Sequence, residues 1–241
     1  MWFASSALLV APVASGTDRF LVMMSPAELE RAPSQRYAKM TREAALAELT
    51  TRGIGFDEVP AERASGVVAP IRLTSKLSGV SVHGMLTGAA AASTPFEIVD
   101  ARLALSLSDF AQVLAANDVD DVTHFSMYRP GRAPKPGILP SEGQATSRHP
   151  AGLAIDVAFL KKRDGSTLRV DKHFGGKIGG KTCGDGATLA EGDEPRQLRK
   201  IVCEAAEQRL FTYVLSPNYN AAHRDHLHME IKAGVKWMLV H

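Results

Sequence analysis

From Leu153 to Leu160 the side chains alternate in kind. Leu153, Ile155, Val157 and Phe159 fall on one face of an extended chain, and Ala154, Asp156 and Ala158 fall on the other. This spacing predicts a strand with an aliphatic core face and a single carboxylate set among alanines, where a ligand has room. A second alternation runs through residues 226–231. His226, His228 and Glu230 share one face, while Leu227, Met229 and Ile231 share the other. Two segments repeat at the helical period instead. Residues 106–117 place Leu107, Phe110, Val113 and Leu114 on one side, and residues 194–210 place Leu198, Ile201, Val202, Ala205 and Ala206 at core spacing.

Local signals extend this outline. Ser25-Pro26-Ala27-Glu28 reads as a helix start, with a capping serine, a first-turn proline and a glutamate at the capping-box position. A helix is expected over 41–52, with Leu46 and Leu49 on one face and Gly53 as its stop. Short strands are expected at 67–68, 71–73, 80–82, 120–128 and 212–215. Loops are expected over the alanine-rich 88–94, the Pro/Gly-rich 130–143, the Gly/Lys-rich 163–194 and the turn-rich 216–222. The sum is an α+β fold: a small antiparallel sheet carrying the chemical residues, with helices packed on it and long loops round a cleft. Residues 1–17 read as a possible export signal, 18–100 as an extension packed on the core, and 101–241 as the functional domain.

Composition narrows the function. The chain is 45% apolar and 22% charged, as in a globular protein, and its net charge of +2 with no Lys/Arg run argues against a nucleic-acid binder. Sparse aromatics argue against a stacking platform for single strands. The opening MWFASSALLVAPVASG is apolar and small-residue-rich, as export signals are, although nothing before Arg19 is positive. It is too short and too broken by Pro and Ser to span a bilayer, and no other segment is apolar enough to do so. Cys183 and Cys203 lack metal-binding spacing and are open to two readings, a disulfide or buried thiols.

Histidine distribution carries the chemistry. Of eight histidines, three fall within His223-Arg224-Asp225-His226-Leu227-His228. His83, His124, His173 and His241 read as ordinary surface or core histidines. Two imidazoles on one strand face need a shared reason, because each must otherwise find its own partners. His149 precedes the strand that bears Asp156, and Gly152 allows a sharp turn between them. If the two strands are neighbours, His149, Asp156 and His228 converge as two imidazoles and a carboxylate, the ligand type of a catalytic zinc with an open position. The same set would suit a non-haem iron oxygenase, but such enzymes hold their first His and Asp closer than the seven positions between His149 and Asp156. A serine hydrolase is disfavoured, since no G-x-S-x-G occurs.

The stretch SRHPAGLAID (147–156) resembles the S-x-H-x-x-G-x-A-x-D motif of the lysostaphin, D-alanyl-D-alanine peptidase and hedgehog-like zinc peptidases, and His226-Leu227-His228 resembles their second motif. YNAAHRDHLHMEI (219–231) is most similar to the extensin-like C-terminal family, which in its H-x-x-H-x-H arrangement also resembles penicillin-insensitive murein endopeptidases. The likeness covers roughly residues 100–232. It implies Zn2+ held by His149, Asp156 and His228, catalysis by His226 with His223 beside it, and Arg129 gripping a substrate carboxylate. It further implies an exported, periplasmic or cell-envelope protein cutting an amide in peptidoglycan stem peptides or cross-links. The alternative is a zinc-containing module that binds cell wall or protein without cutting. One departure matters: the E-x-x-W-H motif of the dipeptidase branch is missing. The general base is then a histidine, Glu230 or Asp225, while Ser147 is either a hydrogen-bonding residue of the site or a simple turn residue.

Overall fold

The computed structural model describes residues 21–131, 147–187 and 191–241. The proposed export signal and most of the 130–143 loop lie outside them.

The chain enters through strand β1 (Leu21–Met23) and helices α1 (Pro26–Arg31), α2 (Pro33–Ala38) and α3 (Arg42–Thr51). Their boundaries follow from local chemistry. Ser25 and Glu28 close a reciprocal capping box, and Thr41 Oγ1 accepts the Ala44 N–H at the start of α3. Gly53, at φ 68°, ends that helix. Strands β2 (Phe56–Glu58) and β3 (Pro70–Leu73) follow, then β4 (Ser81–Gly84). Residues 88–93, expected as loop, form helix α4 (Gly88–Ser93), since consecutive alanines favour helix more than any other residue does. Val67 and Val68 lie outside any strand.

Strand β5 (Val99–Asp100) leads straight into the central helix α5 (Ala101–Ala116). This helix starts earlier than the expected 106 because Asp100 caps it. The fully buried Asp100 carboxylate accepts the N–H groups of Arg102, Val68 and Ala69 and pairs with the Arg102 guanidinium. Nor does α5 show one apolar side only. Leu103, Leu105, Leu107, Phe110 and Leu114 are all buried, because α2, α3, strand β6 (Val119–His124) and helix α7 (Asp193–Glu207) all pack on it.

The remaining strands are β7 (Ala154–Lys162), β8 (Thr167–Arg169), β9 (Tyr213–Leu215), β10 (Leu227–Glu230) and β11 (Trp237–Val240). The described part of 163–194 thus holds more regular structure than the expected loop, with β8 and the short helix α6 (Val170–His173). The main sheet has eight strands in the order β1-β11-β9-β10-β7-β6-β4, with β8 also paired to β7; β2, β3 and β5 form a second sheet. The fold is α+β, as expected, but the main sheet is neither small nor purely antiparallel. β4 runs parallel to β6, and β11 parallel to β9. The alternation at 226–231 gives β10, and β11 follows it in the chain. Among the described residues no helix is long and apolar enough to cross a membrane. Cys183 and Cys203 are joined as a disulfide, which pins the loop after α6 to α7.

Two central strands position the site. β10 pairs antiparallel with β7, with His228 opposite Asp156 and Glu230 opposite Ala154. The apolar faces of both, Ile155 and Val157 with Leu227 and Met229, enter the core. The alternation read from the sequence therefore turns Asp156, His228 and Glu230 away from that core together.

Candidate metal centre

Three local structures bring the ligand set together. His149 opens a 3-10 turn, His149–Ala151, which Gly152 ends at φ 64°. A side chain there would be strained, and its Cβ would sit 2.9 Å from the Asp100 backbone nitrogen. Gly152 thus lets the turn pass close to the α5 cap and into β7, which carries Asp156. His228 stands across from it on β10. His149, Asp156 and His228 are 0%, 2% and 6% exposed, and one ligand atom from each lies within 4.8 Å of the others.

Asp156 is the hub. Its Oδ1 lies 3.0 Å from His149 Nε2, 2.9 Å from His228 Nδ1 and 3.5 Å from His226 Nε2. Its Oδ2 lies 3.2 Å from Arg129 Nη2. The outer nitrogens of the two buried imidazoles are anchored elsewhere. His149 Nδ1–H donates to the Met127 carbonyl at 2.9 Å, and His228 Nε2–H donates to Glu230 Oε2 at 3.0 Å. Glu230 Oε2 in turn accepts the Arg148 backbone N–H. With its proton committed to Met127, His149 presents a bare lone pair at Nε2, and that atom is buried without a hydrogen-bond partner. A carboxylate oxygen faces it. Two buried electron-pair donors at that distance need a cation between or beside them. Anchoring of the outer imidazole nitrogen to a carbonyl or carboxylate is how proteins orient histidine ligands to zinc. The donor set therefore fits a His2Asp metal centre.

The electrostatics agree. Burial alone would raise the Asp156 pKa, but the close imidazoles of His149 and His228 hold it well below the usual carboxylate range. Burial works to lower the His228 pKa, yet the bonds to Asp156 and Glu230 outweigh it and push it up to about 9. Burial wins at His149, whose pKa is lowered against the pull of Asp156. Without metal, the shared proton sits on His228.

Two further histidines form the rim. His226 Nδ1–H donates to Asp225 Oδ1 at 2.8 Å, leaving Nε2 towards Asp156. His226 lies in a turn just ahead of β10 rather than within the strand, and its N–H bonds back to the His223 carbonyl. His223 Nδ1–H donates to Asn220 Oδ1 at 2.8 Å, and its ring lies 5.2 Å from that of His226 and 5.8 Å from that of His228. Burial, then the charges of His228 and His226, push the His223 pKa down to about 4. Arg129, half exposed, stands at the mouth beside Asp156.

The remaining residues singled out from the sequence sort themselves. Ser147 Oγ accepts the His149 N–H at 3.3 Å, the act of a turn residue. His83 pairs with Asp121, and His173 Nδ1 accepts the Arg169 N–H. His124 is fully buried and faces Glu97 at 3.4 Å. Sequence reasoning missed the Met127 carbonyl, Asn220, and Phe125, whose ring packs edge-on to His226 at 5.9 Å. A backbone carbonyl leaves no mark in a sequence, and Phe125 looked like any strand residue.

The family model described as Extensin-like protein C-terminus matches residues 43–239, most of the chain. No curated protein and no solved structure matches it.

Proposed function

The chain belongs to the extensin-like C-terminal family, and from that premise we propose that it is a zinc-dependent peptidase or amidase cutting a peptide bond in peptidoglycan stem peptides or cross-links. The observation that carries this reading is the orphaned His149 Nε2, aimed with His228 Nδ1 at Asp156 Oδ1 in a buried cluster whose outer nitrogens are already anchored. Zinc on these three residues would supply a Lewis acid and lower the pKa of a bound water to ~7. The motif likeness to zinc peptidases supports the same reading.

The chain's own residues divide the remaining work. His226, oriented by Asp225, takes a proton at Nε2 and returns it to the leaving amine. Glu230 and Asp225 are both engaged behind histidines, so neither carboxylate is free to act as the base. His223, neutral at pH 7 because its pKa lies near 4, offers a second nitrogen without adding charge. Arg129 is exposed enough to grip a stem-peptide carboxylate with its fork of donors. Export to the periplasm or cell envelope completes the proposal, and the Cys183–Cys203 disulfide suits an oxidising compartment.

The test is direct. Protein purified without added metal is analysed for its metal content, then incubated with muropeptides and examined for new termini by mass spectrometry. Stoichiometric zinc and new termini are expected, both lost in His149→Ala, Asp156→Ala and His228→Ala. Cleavage that survives any of these substitutions overturns the reading. A second reading, a zinc-holding module that binds cell wall or protein without cutting, is favoured by the same commitment of Glu230 and Asp225, which leaves no carboxylate base facing the cluster. Zinc and muropeptide binding with no new termini would establish it.

A further inference from the structure

An apolar pocket of about 190 Å3 opens beside the histidine rim. Met85 and Leu86, just after β4, form one wall. Phe96, in the 3-10 turn Pro95–Glu97, forms another, and Phe125 closes the side nearest the metal centre. The Phe125 ring belongs to both places, since it also packs edge-on against His226. Met85, Leu86 and Phe96 are 52%, 45% and 39% exposed. Apolar side chains left in solvent together mark a binding surface, where single scattered ones do not.

The pocket is tied to the centre through the backbone. Met127 N–H donates to the Phe96 carbonyl at 2.9 Å, while the Met127 carbonyl holds His149 Nδ1. Phe125 N–H donates to the Asp156 carbonyl at 2.9 Å. Whatever fills the pocket is therefore held in fixed register with the ligand cluster. The pocket offers no free charge. Its one carboxylate, Glu97, accepts the Gly84 N–H through Oε1 at 2.7 Å and turns Oε2 to His124. A Cβ at Gly84 would stand 2.5 Å from Glu97 Oε1, so any larger residue there would displace that carboxylate. The volume is below the ~300–1,000 Å3 of sites that enclose a whole small molecule. It suits one side chain.

We infer that this pocket is the subsite for an aliphatic side chain on a residue flanking the cleaved amide, and that it rejects a carboxylate-bearing side chain at that position. This rests on the hydrolase reading and adds a substrate preference to it. The desolvation cost of an unpaired carboxylate supplies the discrimination.

The test uses isotope-labelled full-length protein titrated with N-acetyl-leucinamide and, separately, with the N-acetyl amide of aspartic acid, in both enantiomers, read by amide NMR. The leucine probe should shift Gly84, Leu86, Phe96 and Phe125, and the aspartate probe should not. Leu86→Asp should weaken the leucine probe roughly tenfold, the cost of about 1.4 kcal/mol, while Leu86→Met, which keeps the wall apolar, should bind as the parent does. Equal responses to the two probes, shifts lying elsewhere, or no response would each overturn the inference. A second arm compares cleavage of two peptides that differ only in Leu or Asp beside the scissile amide. Faster cleavage of the Leu peptide supports the subsite, and equal rates count against it. Probe binding at the pocket with neither peptide cut would support the pocket and sink the hydrolase reading alone.

Discussion

His228 and Asp156 face each other across β10 and β7, with His228 Nδ1 2.9 Å from Asp156 Oδ1 and Glu230 behind the same ring at 3.0 Å. An imidazole held between two carboxylates keeps its proton, and this one does so up to about pH 9. A metal at Nδ1 must displace that proton. Zinc uptake at pH 7.5 should therefore release at least one proton, and apparent affinity should climb about tenfold per pH unit until it levels off near pH 9. Calorimetric titration in buffers of different ionisation enthalpy counts the protons. Release of none would remove His228 from the ligand set.

The same proton affects stability. The folded-state pKa of His228 is raised above its ordinary 6.5 to about 9, so its contribution is whole below pH 6.5 and is lost as pH rises through about 9. The Tm of zinc-free protein should fall between pH 6.5 and 9.5, and His228→Gln should lack that fall. Thermal melts across this range, with a chelator present throughout, decide it. A parallel alkaline decline in the variant would assign the effect to another group.

Glu230 was weighed as a general base from the sequence, and its position makes it the partner that orients His228. Glu230→Gln keeps the shape and removes the charge. Zinc affinity should drop about 10–100-fold, as when other partners of ligand histidines are altered, with the fold retained by circular dichroism. If zinc affinity holds and cleavage alone is lost, Glu230 is the base after all.

Much of the site was legible because strand alternation is strict. The period of two put Asp156 opposite in sense to Ile155 and Val157, and His228 opposite to Leu227 and Met229, before any pairing was known. Gly152 announced the turn that delivers His149. What escaped was set by tertiary context. The parallel pairings of β4 with β6 and β9 with β11 join segments distant in sequence, and no local pattern encodes them. Helix α5 hid its true start because Asp100, which caps it, reads as a plain loop aspartate until Val68 and Ala69 are seen to share its carboxylate. The Cys183–Cys203 pairing was open for the same reason, since thiol partners are decided by the fold.

That disulfide closes a separation of 20 residues, joining the loop after α6 to α7. Cross-linking a loop of this length restricts the unfolded chain and contributes about 3 kcal/mol. Cys203→Ser should lower unfolding stability by that order in urea titrations, while zinc stoichiometry stays unchanged because neither cysteine belongs to the His149, Asp156 and His228 set. A variant that unfolds at the parent's midpoint would show that the loop is held by packing alone.

His226 and His223 compete for the proton-transfer role, and their partners separate them. Asp225 accepts from His226 Nδ1 and stabilises the imidazolium that forms when Nε2 takes a proton, whereas Asn220, the partner of His223, carries no charge to do so. His223 is also held near pKa 4, chiefly by burial, which makes it a poor base. His226→Ala should therefore lower kcat roughly 10²–10⁴-fold with zinc fully bound. Asp225→Asn should produce a smaller loss in kcat, because a neutral partner no longer supports the imidazolium. Should His223→Ala prove the more damaging substitution while His226→Ala remains active, the base would be His223, and the low pKa of that ring would have to rise on substrate binding.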